Sequence, residues 1–493
     1  MAEEIAKSRF LNRFSDMIVP LVTWLMITFP LWMSPFHPAI VAYFIIAFDL
    51  YYFYLAITNA YLATLSYRKI LLQEKTKFNC KQSVTGPGKK INHFVIIPNY
   101  KEPLYKLEST IDSVVKNDLP HKKNLFLVLA FETREPSAKE KSRQLIKKYG
   151  RYFEDCLISY HVLKENEVPG KASNQTAAAK VLLEYVNKKG FDIKNVLITI
   201  CDADSHLPKN YFSYLTYEYL KDKDRLYHFY WAPVLLYNNF WQLPMIVRMQ
   251  ATISSILRLA FLSDKDNLIQ ISTYSTSLWL LKALNFWDVD IIPEDWHIYL
   301  QAFFRYGAKV RTMPLFTIIS GDAVFSGGVV KTLVNRYEQE KRWAWGVSDV
   351  GYAIKKFFTT PQINPILKLR KIGYLAKTHI LWPASFFILT ISSAIPPLIN
   401  PVFKRTVMGF LLPNLSGLIL TFTSSMLIMY IYIDIKLRQR IKVKTNLTNI
   451  PLLIIQWYFL PVISFFFSSL PALESHTRLL FGKKMKYKVT EKV

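Results

Sequence analysis

Apolar positions gather at the two ends of this chain, while the middle alternates short apolar runs with amphipathic stretches. The first long run covers roughly residues 17–33 and the second about residues 39–65. Each is long enough to cross a bilayer core of about 30 Å at a rise of about 1.5 Å per residue. Between them lies the uncharged turn Ser34-Pro35-Phe36-His37-Pro38, and no small-residue cleavage site follows the first run. The pattern therefore predicts a helical hairpin with both ends on the cytoplasmic side, not a signal peptide. Asp49 falls inside the second run, where a carboxylate must face protein or water. It either lines a product path or contacts a neighbouring helix.

Residues 93–97, 125–130, 157–163 and 196–201 read as buried strands bounded by turn residues. Residues 104–116, 136–149 and 171–188 carry helical periodicity between them. Such alternation predicts a largely parallel sheet covered by helices, with ligands beyond the carboxyl ends of the strands. Residues 353–371 mix aromatic, apolar and basic side chains around Pro361 and Pro365, the mark of a segment lying on a membrane. Three more apolar runs follow, at about 375–399, 407–433 and 450–473. Pro461 divides the last into halves too short to span, which predicts a re-entrant hairpin there.

Composition sharpens this picture. The 493 residues are 51% hydrophobic, yet the formal net charge is +26. A basic excess serves nucleic acid, anionic lipid or an anionic substrate. Here Arg68, Lys69, Lys75, Lys77 and Lys81, and later Arg438, Arg440, Lys442 and Lys444, flank apolar runs. That placement fits the positive-inside rule and argues against a nucleic-acid partner. Cys80, Cys156 and Cys201 form no CxxC pair, which points to a reducing compartment and no structural zinc.

Four strings carry candidate chemistry. Pro98-Asn99-Tyr100-Lys101-Glu102-Pro103 follows the first strand, either as a plain turn or as a nucleotide site with Tyr100 stacked on a base. Asp202-Ala203-Asp204 follows the strand at 196–201, so two carboxylates reach one pocket across a turn. Hard divalent cations take such oxygen ligands and share them with phosphates, although surface turns are also rich in aspartate. Pro293-Glu294-Asp295-Trp296 precedes a helix at 297–305; a carboxylate there favours the helix dipole or acts as a general base. Gln339-Glu340-Lys341-Arg342-Trp343 is the most specific, since Q-x-x-R-W arises by chance in such a chain on the order of once in a hundred. Its helical spacing puts Gln339, Arg342 and Trp343 on one face. That face suits a diphosphate and a sugar ring, or else marks a basic aromatic helix at the membrane.

Taken in order, IPNYKE, GKASN, DAD, WAPVLLYN, PED and QEKRW resemble the family 2 glycosyltransferases of the cellulose, chitin and hyaluronan synthase type. The resemblance covers roughly residues 90–350 and the flanking apolar pairs. It implies an α/β GT-A-type (Rossmann-like) catalytic domain inserted between two groups of transmembrane helices. The expected divisions are an amino-terminal hairpin at 1–66, the cytoplasmic catalytic domain at 67–350 and interfacial helices at 351–374. A transmembrane region at 375–473 and a cytoplasmic tail at 474–493 complete them, the whole seated in the plasma (inner) membrane.

The same resemblance implies roles for individual residues. Tyr100, Glu102 and Glu132 would meet the nucleotide base and ribose, and Lys171 would approach the nucleotide. Asp202 and Asp204 would hold the diphosphate with Mg²⁺ or Mn²⁺. Asp295 would be the catalytic base beside Glu294, while Gln339, Arg342 and Trp343 would hold the acceptor end and the leaving group. Tyr487-Lys488-Val489-Thr490-Glu491-Lys492 resembles the F-x-V-T-x-K gating loop, with Thr490 and Lys492 facing the diphosphate, or is a basic tail. Two departures stand out: Phe131-Glu132-Thr133 where many relatives carry paired aspartates, and proline where they carry the threonine of T-E-D.

The expected activity is inverting transfer from a nucleotide-diphosphate sugar, with UDP as the nucleotide by resemblance, to a glycan or lipid-linked acceptor. The polymer would pass through the enzyme's own membrane region. A transferase adding one sugar to a lipid-phosphate carrier shares most of these features. A transporter with a regulatory domain fits the apolar runs but not the carboxylates at strand ends.

Overall fold

A computed structural model describes residues 9–76, 90–119 and 122–485 of the chain. Two apolar helices open it, α1 (Arg9–Met33) and α2 (Pro38–Glu74). An alternation follows: β1 (Asn92–Pro98), α3 (Leu104–Val115), β2 (Leu125–Glu132), α4 (Ala138–Tyr149), β3 (Asp155–His161), α5 (Lys171–Lys188) and β4 (Val196–Ile200). Next come α6 (Tyr211–Lys221), β5 (Phe229–Trp231), β6 (Val234–Leu235) and α7 (Met245–Ser263). After β7 (Tyr274–Ser277), α8 (Leu278–Ala283) and α9 (Glu294–Tyr306), the short strands β8 (Thr312–Pro314) and β9 (Ile319–Ser320) close this part. The remainder is helical, chiefly α10 (Val329–Ala344), α11 (Val347–Thr359), α12 (Pro365–Thr390), α13 (Val407–Ser425), α14 (Leu427–Arg440) and α15 (Leu470–Leu480).

The chain divides into two compact units. Among the described residues, one holds Leu65–Gln242 and Phe261–Gly327; the other holds residues 9–64, Leu243–Ala260 and residues 328–485. The stretch 67–350 thus contributes to both.

In the first of these units the strands run β3-β2-β1-β4-β7-β5-β8, with β6 and β9 paired separately. Three of the four strands read from apolar runs lie where the pattern puts them, the third starts and ends two residues earlier and is largely half-buried, and all four are parallel. The rest of the sheet is mixed, because β7 runs antiparallel between β4 and β5. No apolar run announces β7. It reads Tyr274-Ser275-Thr276-Ser277, is fully buried, and satisfies its hydroxyls inside the sheet. Ser275 Oγ lies 2.7 Å from Thr199 Oγ1 and 2.9 Å from the Tyr211 hydroxyl. Thr276 and Ser277 donate to the carbonyls of His228 and Leu226 at 3.0 and 2.8 Å. A strand that pairs its polar groups this way carries no hydrophobic signature.

Among the described residues, the helices long and apolar enough to cross a membrane are Phe10–Met33, Pro38–Glu74, Met245–Ser263, Val407–Arg440 and Ile450–Leu480, which belong to the other unit except for the last residues of the second and third. Pro365–Thr390 and Ser392–Ile399 add a pair bent by 48°. Met245–Ser263 escaped the sequence reading. Its apolar window is 67% buried and it carries buried Arg248, Gln250 and Arg258, so its composition suits a protein interior better than lipid.

Side-chain contacts order these helices. Asn400 Nδ2 donates to the carbonyls of Ser34 and Pro35 at 3.5 and 3.4 Å, so the bent pair ends beside the α1–α2 turn. Phe403 and Leu412 pack on Val41, Ala42 and Ile45 at the start of α2. Further on, Ser416 Oγ donates to Asp49 Oδ2 at 2.6 Å, which makes Asp49 a contact to a neighbouring helix. Residues 450–480 stay helical through Pro461 and contain no turn, so the expected hairpin is not formed. The run instead tightens to a 3₁₀ turn at Gln456–Phe459 and loosens to a π-helix at Phe465–Ser469. Arg13 then donates to the carbonyls of Leu479, at 2.6 Å, and Leu480. The chain leaves α15 at the end of the bundle where α1 begins.

Candidate active site

Parallel β2, β1 and β4 deliver their carboxyl ends to one edge of the sheet, and antiparallel β7 begins at that same edge. The pairing of Ile200 with Tyr274 sets the turn after β4 against the residues that lead into β7. Open α/β sheets bind ligands at such an edge.

Asp202 lies just past β4. Lys171, the first residue of α5, reaches it with Nζ 2.6 Å from Oδ1, and stands 3.1 Å from Glu294 Oε1. Lys171 also donates to the Ser272 carbonyl at 3.1 Å. Ser272 in turn donates its Oγ to Asp202 Oδ2 and its backbone N–H to Asp295 Oδ2, the latter at 2.9 Å. Its φ of 69° lies in the left-handed region, a strained choice for serine that brings both of its donors into the acidic cluster. Thr273 Oγ1 accepts the Asp202 N–H at 3.1 Å. Ser272 and Thr273 were missed in the sequence, where Ile271-Ser272-Thr273 reads as ordinary polar chain.

The D-A-D turn is braced from below. Thr110 of α3, fully buried, donates to the Ala203 carbonyl at 2.8 Å. A Cβ on Gly321, in the loop beside the Asp204 carbonyl, would meet Val234 Cγ1 at 2.8 Å, so a larger residue there would force Val234 to shift. Burial, followed by the Asp202 and Asp204 charges, pushes the Cys201 thiol up, and the thiol is inert as a nucleophile.

Asp295 sits in the first turn of α9, with its Oδ1 accepting the Trp296 N–H at 2.9 Å. Its carboxyl is pushed up to about 7, first by burial and then by the Glu294 charge, against the pull of Lys171. Burial alone would lower Lys171, but Asp202 and Glu294 outweigh it and hold the ammonium well above its usual range. Lys171 is therefore a fixed cation. The carboxylates of Asp202, Glu294 and Asp295 all act on it, and the Asp204 carboxylate lies on the same turn as Asp202.

Tyr100, Glu102 and Glu132 lie at the ends of β1 and β2 in the same unit. Arg134 holds the buried Glu132 carboxylate, its Nε at 2.8 Å from Oε2. Its guanidinium carbon lies 4.7 Å from the Tyr100 ring centroid, so that ring already carries a cation on one side. The Glu102 carbonyl accepts Lys141 Nζ at 2.6 Å. Gln339, Arg342 and Trp343 lie on α10 in the other unit, as the helical spacing predicts. Thr490 and Lys492 lie outside the described residues, as does Cys80.

Among the described residues, no group of three or more His, Cys, Asp or Glu is arranged to hold a metal unaided. Asp202 and Asp204 nonetheless fit a hard cation that takes its other ligands from phosphate. Their oxygens are the right donors, and an ammonium already seated on Asp202 marks the place as one that attracts positive charge.

No curated protein matches the sequence. Among solved structures, the mannosyltransferase PcManGT from Pyrobaculum calidifontis, in complex with GDP-Man and Mn²⁺, is similar at 14% identity and a TM-score of 0.40. That match covers 81% of this chain and 100% of that one. TarS 1–349 from S. aureus follows at 9% identity and a TM-score of 0.35, covering 71% and 92%. GalNAc-T7 with UDP, GalNAc and Mn²⁺ gives 13% identity and a TM-score of 0.36, covering 60% and 59%. Residues 197–433 match the family model described as Glycosyl transferase family group 2, and this stretch includes Asp202, Asp204, Glu294, Asp295 and all of α10.

Proposed function

We propose that this chain is a membrane glycosyltransferase that moves a sugar from a nucleoside diphosphate to an acceptor hydroxyl with inversion. The observation that carries it is the cluster at the sheet edge, in which Ser272 bridges Asp202 to Asp295 while Lys171 spans Asp202 and Glu294. Charge-binding and proton-accepting carboxylates are thereby held in one constellation. The family match over residues 197–433 supports the same reading.

In this mechanism Asp295 accepts the proton of the acceptor hydroxyl. The freed oxygen attacks the anomeric carbon, and the bond to the diphosphate breaks on the opposite face. The raised carboxyl of Asp295 suits a base that works near neutral pH. Lys171 supplies positive charge beside the departing diphosphate. Asp202 and Asp204 would hold Mg²⁺ or Mn²⁺, whose chemistry when bound is to neutralise charge developing on the leaving group. On α10, Arg342 and Trp343 keep their proposed roles toward the leaving group and the acceptor sugar.

Purified protein in lipid, given a panel of nucleotide sugars and Mn²⁺, is expected to release nucleoside diphosphate and form a chain of many sugars. A single-sugar product on a lipid carrier would replace the polymerase reading, and no release from any donor would end the transferase reading. Trp343→Ala is expected to shorten the polymer at least several-fold while donor KM stays within about twofold. Unchanged polymer length would remove Trp343 from the acceptor site.

Arg13 beside Leu479 and Leu480 supports a tail on the same side as the amino terminus. We take that side as cytoplasmic, in keeping with Lys483 and Lys484 just past α15. A cysteine at Lys484, in a chain otherwise free of cysteine, should resist a membrane-impermeant thiol reagent in intact cells. Rapid labelling from outside would place the tail on the opposite face.

A further inference from the structure

Four residues on α10 form a stripe at i, i+3, i+4 and i+7: Arg336, Gln339, Glu340 and Trp343. Arg336 is 3% exposed. Its Nε donates to Gln250 Oε1 at 2.6 Å, Nη1 to Gln339 Oε1, and Nη2 to Glu340 Oε2 at 2.7 Å. Its guanidinium carbon also lies 4.7 Å from the Trp343 ring centroid, with that of Arg258 at 5.7 Å. Gln250 belongs to α7 and closes the network, donating to Glu340 Oε2 at 3.1 Å and to the Phe467 carbonyl. Phe467 lies in the π-helix, where the loosened hydrogen-bond ladder is a recurrent feature of functional sites.

We propose that Arg336 is a positioning residue for the acceptor end of the transfer, fixing both the Gln339 carboxamide and the Trp343 ring. This rests on the glycosyltransferase reading above. Arginine has donors only, so the Gln339 atom facing it must be the carbonyl oxygen. Gln339 therefore presents its amide nitrogen, a donor, to any ligand it meets. That suits a hydroxyl or phosphate oxygen. One face of Trp343 lies against the Arg336 guanidinium, and this contact fixes the plane of the ring.

A buried ion pair of this kind is weak evidence for stability, since apolar residues of similar volume often serve as well. What the planar fork supplies is direction: three acceptors on two helices are addressed from one rigid group. Lysine keeps the charge but has no such fork. Arg336 touches no reacting atom in this scheme and acts only through Gln339 and Trp343.

The test compares wild type, Arg336→Lys and Gln250→Leu as full chains in lipid nanodiscs. Release of nucleoside diphosphate from UDP-glucose, UDP-N-acetylglucosamine and GDP-mannose with Mn²⁺ gives kcat and donor KM. Thermal unfolding reports the fold. Arg336→Lys is expected to lower kcat at least tenfold, with donor KM and unfolding temperature close to wild type. Gln250→Leu should give the same split, more weakly, and keeps the test decisive if the lysine variant fails to fold. Wild-type kcat in either folded variant overturns the proposal, and so does a parallel loss of kcat, donor affinity and unfolding temperature. A wild type inactive on every donor removes the transferase reading itself, and the role of Arg336 with it.

Discussion

Asp295→Asn is expected to lower sugar transfer by about a hundredfold to ten-thousandfold, the usual worth of a positioned general base. Nucleotide binding should persist, because Lys171 and Asp202 still meet at 2.6 Å without it. Asparagine keeps one side-chain oxygen, which accepts from only one of the Ser272 and Trp296 N–H groups that the carboxylate takes on separate oxygens, so thermal unfolding of the variant is read alongside its activity. The pH profile supplies the sharper check. A base must be unprotonated to work, and the Asp295 carboxyl is raised to about 7 by burial and by Glu294. Turnover at limiting donor and acceptor in the wild type should therefore climb as pH rises through about 7. The residual activity of Asp295→Asn should lack that limb. If the variant keeps the rising limb, the proton goes elsewhere; if it loses nucleotide binding while folded, Asp295 belongs to the donor site.

Why was Asp295 legible while Ser272 was not? Asp295 stands at the start of a strongly periodic helix, where a carboxylate is conspicuous. Ser272 acts through a positive φ and a backbone N–H, and neither leaves a mark in residue type. The same contrast runs through the fold. Strands β1, β2 and β4 were visible because each is a block of buried, mostly apolar residues, whereas β3, largely half-buried at the sheet edge, showed only through Leu157 and Ile158. Strand β7 was hidden because its hydroxyls pair with Thr199, Tyr211, His228 and Leu226, partners distant in sequence.

The helix α7 failed to register for the opposite reason. It is apolar, but Arg248, Gln250 and Arg258 interrupt the run, and their partners emerge only in three dimensions. Arg336 likewise carries no signal in the sequence, although it is nearly as buried as the core. For the last apolar run, Pro461 suggested a turn because proline breaks an i to i−4 ladder. The chain absorbs it instead by changing helix type on either side, 3₁₀ before and π after, which keeps most backbone groups bonded without reversing direction.

Asp204→Ala is expected to abolish transfer, with loss of at least a thousandfold at any Mn²⁺ concentration within reach. Asp202 is already engaged by Lys171 on one oxygen and Ser272 on the other, so alone it makes a poor anchor for a dication. Asp204 completes the pair across a turn that Thr110 holds through the Ala203 carbonyl. Removing its carboxylate leaves that backbone brace untouched, and Asp204 itself is only half-buried. Unfolding temperature should accordingly move by little. Mn²⁺ titration followed by electron paramagnetic resonance, with nucleoside diphosphate present, reads the metal directly and does not depend on turnover. The expected result is an affinity weakened at least tenfold beside normal folding, and a chelator should silence the wild type in the same assay. Normal turnover of Asp204→Ala at saturating Mn²⁺ would show that the D-A-D turn is structural, and the search for the cation's ligands would begin again elsewhere on the sheet edge.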